Sequence, residues 1–115
     1  RLFTVAAQSP AFQQQLRKKS PTAQLWREKR FEIALDDSWI SGCFDRVEIH
    51  DDQAFIYDYK SNRVTTPEDK QHLRKTYHGQ MALYRDVLHA MTGLPATSIH
   101  ASLLLTHCGD VLELF

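Results

Sequence analysis

Cysteine is nearly missing from this sequence, at two of 115 residues, Cys43 and Cys108. They have neither C-x-x-C spacing nor the density of a disulfide framework, so a reduced, cytoplasmic setting is expected. There is no excess charge of either sign. Fourteen Lys and Arg balance fourteen Asp and Glu, so no global field announces a polyanionic partner. No apolar run nears eighteen residues and no signal-peptide pattern is present, which leads us to expect a soluble protein with no membrane partner. Internal repeats and low-complexity segments are absent too. The sequence opens on Arg1 rather than Met, and Phe115 falls inside a strand-like pattern, so a single domain fragment of a larger polypeptide is expected over 1–115. With 43% hydrophobic residues it can bury one core.

What is present is unevenly placed. Residues 1–30 carry seven Lys and Arg against Glu28, and residues 31–59 carry eight Asp and Glu against Arg46. From Lys60 onward the balance is six basic to five acidic. An acidic centre between basic flanks suits a metal site beside a phosphate backbone, and a solvated surface can look the same.

Periodicity and turn signals order the elements. Ser9-Pro10 opens a helix from about Pro10 to Lys19. WREKRFEIAL (26–35) alternates as a strand with Phe31, Ile33 and Leu35 on one side. Asp36-Asp37 marks a turn, a second strand runs from Trp39 or Ile40 to His50, and Asp51-Asp52 turns into a third, Gln53–Lys60. Thr66-Pro67-Glu68-Asp69 starts a helix that runs to about Met91 and stops at Gly93-Leu94-Pro95, with Gly79 a candidate break. Ile99–Thr106 and Val111–Phe115 read as two further strands. The order is αβββαββ, an antiparallel meander whose crossover helix leads to a returning strand in a mixed α/β sheet.

The third strand contains a chemical oddity. In Phe55-Ile56-Tyr57-Asp58-Tyr59-Lys60, Asp58 and Lys60 share a face with Ala54 and Ile56. A two-residue turn at Asp51-Asp52 places Asp45 directly opposite Asp58, with Cβ atoms roughly 4.5–5.5 Å apart. A turn at Asp36-Asp37 likewise places Glu28 opposite Asp45. Regular alternation surrounds these carboxylates with Cys43, Val47, Ile49 and Ile56. Opposed like charges destabilise a sheet, and buried carboxylates are costly unless paired or metal-bound. A divalent cation compensates economically. Mg²⁺ takes hard oxygen ligands and keeps several waters. Asp45 and Asp58 can bridge one, the Tyr59 carbonyl can add an oxygen, and Lys60 can assist a water or steady phosphate charge. Ordinary cross-strand salt bridges on a solvated face remain the other reading.

The pieces come in one order: Glu28 with Phe31, Gly42-x-x-Asp45-Arg46, Asp58-Tyr59-Lys60, then Tyr77-x-x-Gln80-x-x-x-Tyr84. This set, over residues from about 26 to 106, resembles the RecB-like nucleases of the PD-(D/E)XK superfamily. It is most similar to the C-terminal nuclease of bacterial helicase–nuclease subunits of the RecB and AddA type. The resemblance implies a restriction-endonuclease-like fold and a Mg²⁺- or Mn²⁺-dependent deoxyribonuclease of exonuclease type, serving DNA end processing and recombinational repair in the bacterial cytoplasm. Asp45 and Asp58 would be metal ligands and Lys60 the catalytic lysine. Gln80, Tyr84 and Tyr77 would lie beside DNA, on a helical stripe that also includes Leu88. For the tyrosines, core packing is the alternative. Glu28 matches a family glutamate, with an ion pair to Arg46 as another role.

The implied partners are DNA, an upstream UvrD-type helicase region of the same polypeptide, and a further subunit in an AddAB- or RecBCD-like complex. No P-loop is encoded in these residues. Such nucleases usually carry a further metal-ligating histidine upstream of the first aspartate. None of the 44 residues before Asp45 is histidine, so that ligand is expected elsewhere in the polypeptide. A catalytically inactive nuclease-fold module for DNA guiding or subunit docking is the main alternative, and a small interaction domain is a third. The six histidines share no ligand spacing, and adjacent His107 and Cys108 point apart. Lys18-Lys19 reads as a solvated pair, whereas Lys70, Arg74 and Lys75 could meet phosphates.

Overall fold

A computed structural model describes residues 24–115, and the helix expected at Pro10–Lys19 lies outside that range. Strands β1 (Gln24–Leu35), β2 (Ser38–His50) and β3 (Gln53–Lys60) precede helix α1 (Pro67–Thr92). A short 3₁₀ turn at Ala96–Ser98 then leads into β4 (Ile99–Leu105) and β5 (Asp110–Glu113). The sheet order is β1-β2-β3-β4-β5. The meander is antiparallel, β4 returns parallel to β3, and β5 is antiparallel to β4. This is the expected mixed α/β sheet. β5 is shorter than expected, yet the chain stays beside β4, because Leu114 N–H donates to the Ala101 carbonyl at 2.9 Å.

Local chemistry sets the ends of α1. Thr66 is extended, its hydroxyl accepts from Asp69 N–H, and the Asp69 carboxylate accepts in return from Thr66 N–H. This reciprocal box satisfies donors that the first turn leaves open. Gly93 closes the helix at φ 79°, where a side chain would be strained, and its N–H reaches the His89 carbonyl at 2.8 Å. Gly79 does not break the helix, which runs on through it. Leu73, Met81, Val87 and Leu88 are buried on α1 against a core with Val47, Ile56 and Leu103. Each fully buried apolar side chain contributes about 1.5–3 kcal/mol.

The hairpins hold their expected registers, with His50 opposite Gln53 and Leu35 opposite Ser38. The side-chain alternation, however, is interrupted. Phe44 and Val47 are three residues apart on β2 yet both belong to the core, as do Phe31 and the flanking Trp26 on β1. A regular strand puts residues separated by an odd number on opposite faces. The ladder omits the Glu28–Asp45 pair, and Glu28 has φ 48°. A left-handed residue there rotates the hairpin, so both of its halves present apolar side chains to the same core. Cys43 therefore does not share the alternation of Asp45 that the sequence suggested.

Candidate active site

Asp45 and Asp58 meet just beyond the last paired rung of β2 and β3, Arg46 opposite Tyr57. Asp45 Oδ2 accepts the Tyr59 backbone N–H at 2.9 Å, and its carboxyl lies close enough to that of Asp58 for the charge of each to bear on the other. Asp58 lies at the centre of the mixed sheet and is 5% exposed. Burial raises the Asp45 pKa from 3.8 to about 6, with the negative charge of Asp58 adding to the rise. The Tyr59 N–H and the Lys60 ammonium oppose it. Two carboxyls this close resist carrying two charges unless a cation joins them.

The cation within reach is Lys60, whose Nζ lies 2.8 Å from Asp58 Oδ2. That buried oxygen has no aligned hydrogen-bond donor despite the short ion-pair distance. Alternation along β3 puts Asp58 and Lys60 on the face that α1 covers. From α1, Gln80 Oε1 approaches Lys60 Nζ at 3.5 Å, and the Tyr77 ring centroid lies 4.1 Å from it. Gln80 Nε2 reaches the Tyr84 hydroxyl, also at 3.5 Å. Both bonds are at the long end of hydrogen-bond range.

Tyr84 joins this polar cluster to the core. Its ring meets Phe44 and Phe31 edge-on, at centroid distances of 5.3 and 5.8 Å. Burial raises its hydroxyl pKa, and the nearby Asp58 charge adds to that effect. Gly42 makes room for the arrangement, since a Cβ there would come within 2.7 Å of Phe31 Cζ. The Gly42-x-x-Asp45 spacing thus has a steric basis that the sequence alone did not reveal.

Lys60, Asp58, Asp45, Tyr59, Gln80, Tyr84 and Tyr77 are therefore brought together. Tyr59 enters through its backbone N–H. Glu28, expected to complete a row of three carboxylates, is exposed on β1 and does not figure among the groups acting on Asp45. The reason is the left-handed backbone that removes it from the ladder. Arg46, a suggested partner for Glu28, forms a buried ion pair with Glu48 at 3.1 Å. The Arg46-x-Glu48 spacing on one strand face was the available signal for that pair. Lys70, a candidate phosphate contact, pairs with Asp110 at 3.0 Å on the surface.

The donor set suits a hard divalent ion. The described residues contain no group of three or more His, Cys, Asp or Glu side chains placed to hold a metal. Mg²⁺, however, is commonly held by one or two carboxylates with water completing its shell. The adjoining carboxyls and the Asp58 oxygen lacking an aligned donor match that requirement. No helix among the described residues is long and apolar enough to cross a membrane.

Comparison with known proteins identifies the family. The family model for the PD-(D/E)XK nuclease superfamily matches residues 3–110. An ATP-dependent helicase/nuclease subunit from Limosilactobacillus fermentum is 42% identical over 86 residues, covering 70% of this chain and 6% of the relative. Its namesake from Enterococcus faecalis is 33% identical over 85 residues, covering 72% of this chain and 7% of the relative. The chain thus spans a small part of the length of these relatives. With its family match extending over nearly every residue, the chain belongs to the PD-(D/E)XK nuclease superfamily.

Proposed function

We propose that this chain is the nuclease domain of a longer helicase–nuclease polypeptide and that it hydrolyses DNA phosphodiesters with Mg²⁺ or Mn²⁺. The carrying observation is the convergence of Asp45, Asp58 and Lys60, with the lysine amine 2.8 Å from Asp58. Asp45 and Asp58 would hold the cation. When bound, the cation supplies Lewis acidity toward a phosphoryl oxygen and makes water a stronger nucleophile.

The chain's own groups supply the rest. Tyr59 N–H orients the Asp45 carboxylate. Lys60 presents positive charge to the phosphate and can hold or move a proton at Nζ. Gln80 and Tyr84 line the adjoining face of α1, where a DNA backbone would pass. Water attacks phosphorus, one ester P–O bond breaks, and the departing oxygen takes a proton.

By analogy with the helicase/nuclease proteins it matches, we place this activity in DNA end processing and recombinational repair, beside an upstream helicase region and a partner protein. The deciding assay follows cleavage of linear DNA by the full polypeptide, which includes the segment expected to carry the further histidine. Divalent metal should be required, and Lys60→Ala should lower kcat at least about a hundredfold. Undiminished metal-dependent cleavage by Lys60→Ala would reject the lysine assignment. No cleavage by the wild-type polypeptide would favour a module for DNA guiding or docking.

A further inference from the structure

Lysine is a poor positioning device unless its flexible four-carbon stem is restrained. In β3 the ion pair with Asp58 is one restraint on Lys60. It is also the vulnerable one, because Asp58 is the carboxylate a divalent cation would take. Gln80 reaches the amine only at 3.5 Å. The Tyr77 ring face, 4.1 Å from Nζ, can hold the ammonium without competing for the cation or neutralising the lysine charge.

We propose that Tyr77 is a positioning residue for Lys60: its ring face keeps the lysine amine at the candidate active site when Asp58 is engaged elsewhere. The assignment rests on the nuclease reading and refines it, since Tyr77 then acts through Lys60 rather than by stacking on DNA. Its ring is half-buried against the core, with the lysine over its face. Helical spacing puts it one turn before Gln80 on the side of α1 that meets β3. The required feature is the aromatic face, so the hydroxyl should be dispensable.

The test compares Tyr77→Phe, Tyr77→Leu and Tyr77→Met with wild type in the full polypeptide. Trace acetylation of the DNA-free protein in Mg²⁺, read by mass spectrometry, gives the reactivity of Lys60 relative to Lys75. Cleavage of linear DNA with Mg²⁺ gives kcat and KM. Tyr77→Phe should match wild type in both. Tyr77→Leu and Tyr77→Met should acetylate Lys60 several-fold faster and lose about tenfold in kcat with little change in KM. A raised KM with unchanged kcat and labelling would make Tyr77 a DNA contact and overturn the proposal. Wild-type behaviour of a folded Leu or Met variant would overturn it as well. If Lys60→Ala cleaves normally, the catalytic reading fails, while the labelling comparison still decides whether Tyr77 restrains the amine.

Discussion

Asp45 and Asp58 come together just past the last rung joining β2 and β3, and Tyr59 N–H fixes the orientation of the first carboxylate. The arrangement keeps a proton on Asp45 at a pH where an ordinary aspartate has lost it. In metal-free buffer the folded state therefore binds more protons than the unfolded chain between about pH 4 and 6. The contribution of this group to stability falls as pH rises through that window and is level above it. Denaturant unfolding of Asp45→Asn and wild type at about pH 4.5 and about pH 7 measures the difference. The variant should gain on the wild type at the higher pH by on the order of 1 kcal/mol, after discounting for solvent at a half-buried site.

Replacing the second carboxylate tests the cation. Asp58→Asn keeps the shape but halves the anionic charge of the pair, so Mn²⁺ affinity should fall at least about tenfold. Electron paramagnetic resonance of free Mn²⁺ during titration of the full polypeptide reports this directly. Equal binding by wild type and variant would remove Asp58 from the ligand set.

Phe31 lies across Gly42, and its ring is confined by Phe44 and Tyr84. An added methyl group has no inexpensive way to displace it. Gly42→Ala should destabilise the protein by about 1–3 kcal/mol in denaturant unfolding. A neutral result would mean that the ring stack yields more readily than its packing indicates.

Glu28 adopts φ 48°, a conformation natural to glycine and strained for a side chain. Glu28→Gly should leave stability unchanged or raise it by up to about 1 kcal/mol, as seen in the denaturation midpoint. A clear loss would show that the glutamate side chain itself supports the rotation of the hairpin.

At the start of α1, Thr66→Ala removes the hydroxyl that accepts from Asp69 N–H. A loss of about 1 kcal/mol is expected in thermal or denaturant unfolding. The pH response of Asp69 has the opposite sign to that of Asp45. Hydrogen bonds from Thr65 and Thr66 hold its pKa down, so its contribution is present near neutrality and fades as the solution is acidified.

Much of this site was legible from residue order. The Asp36-Asp37 and Asp51-Asp52 turns define the two hairpin registers, and those registers bring Asp45 to Asp58. The Thr66 box and Gly93 delimit α1, while period-two spacing puts Asp58 and Lys60 on one face. These are short-range properties, carried by backbone stereochemistry and side-chain spacing. What the tertiary structure alone decided is the rotation of the hairpin at Glu28 and the seating of Tyr77 against Lys60. Perfect alternation would have placed Glu28 beside Asp45. Instead, packing half-buried Trp26 and buried Phe31 against one core goes with a left-handed residue between them, a choice made by packing across the sheet and invisible to any local pattern.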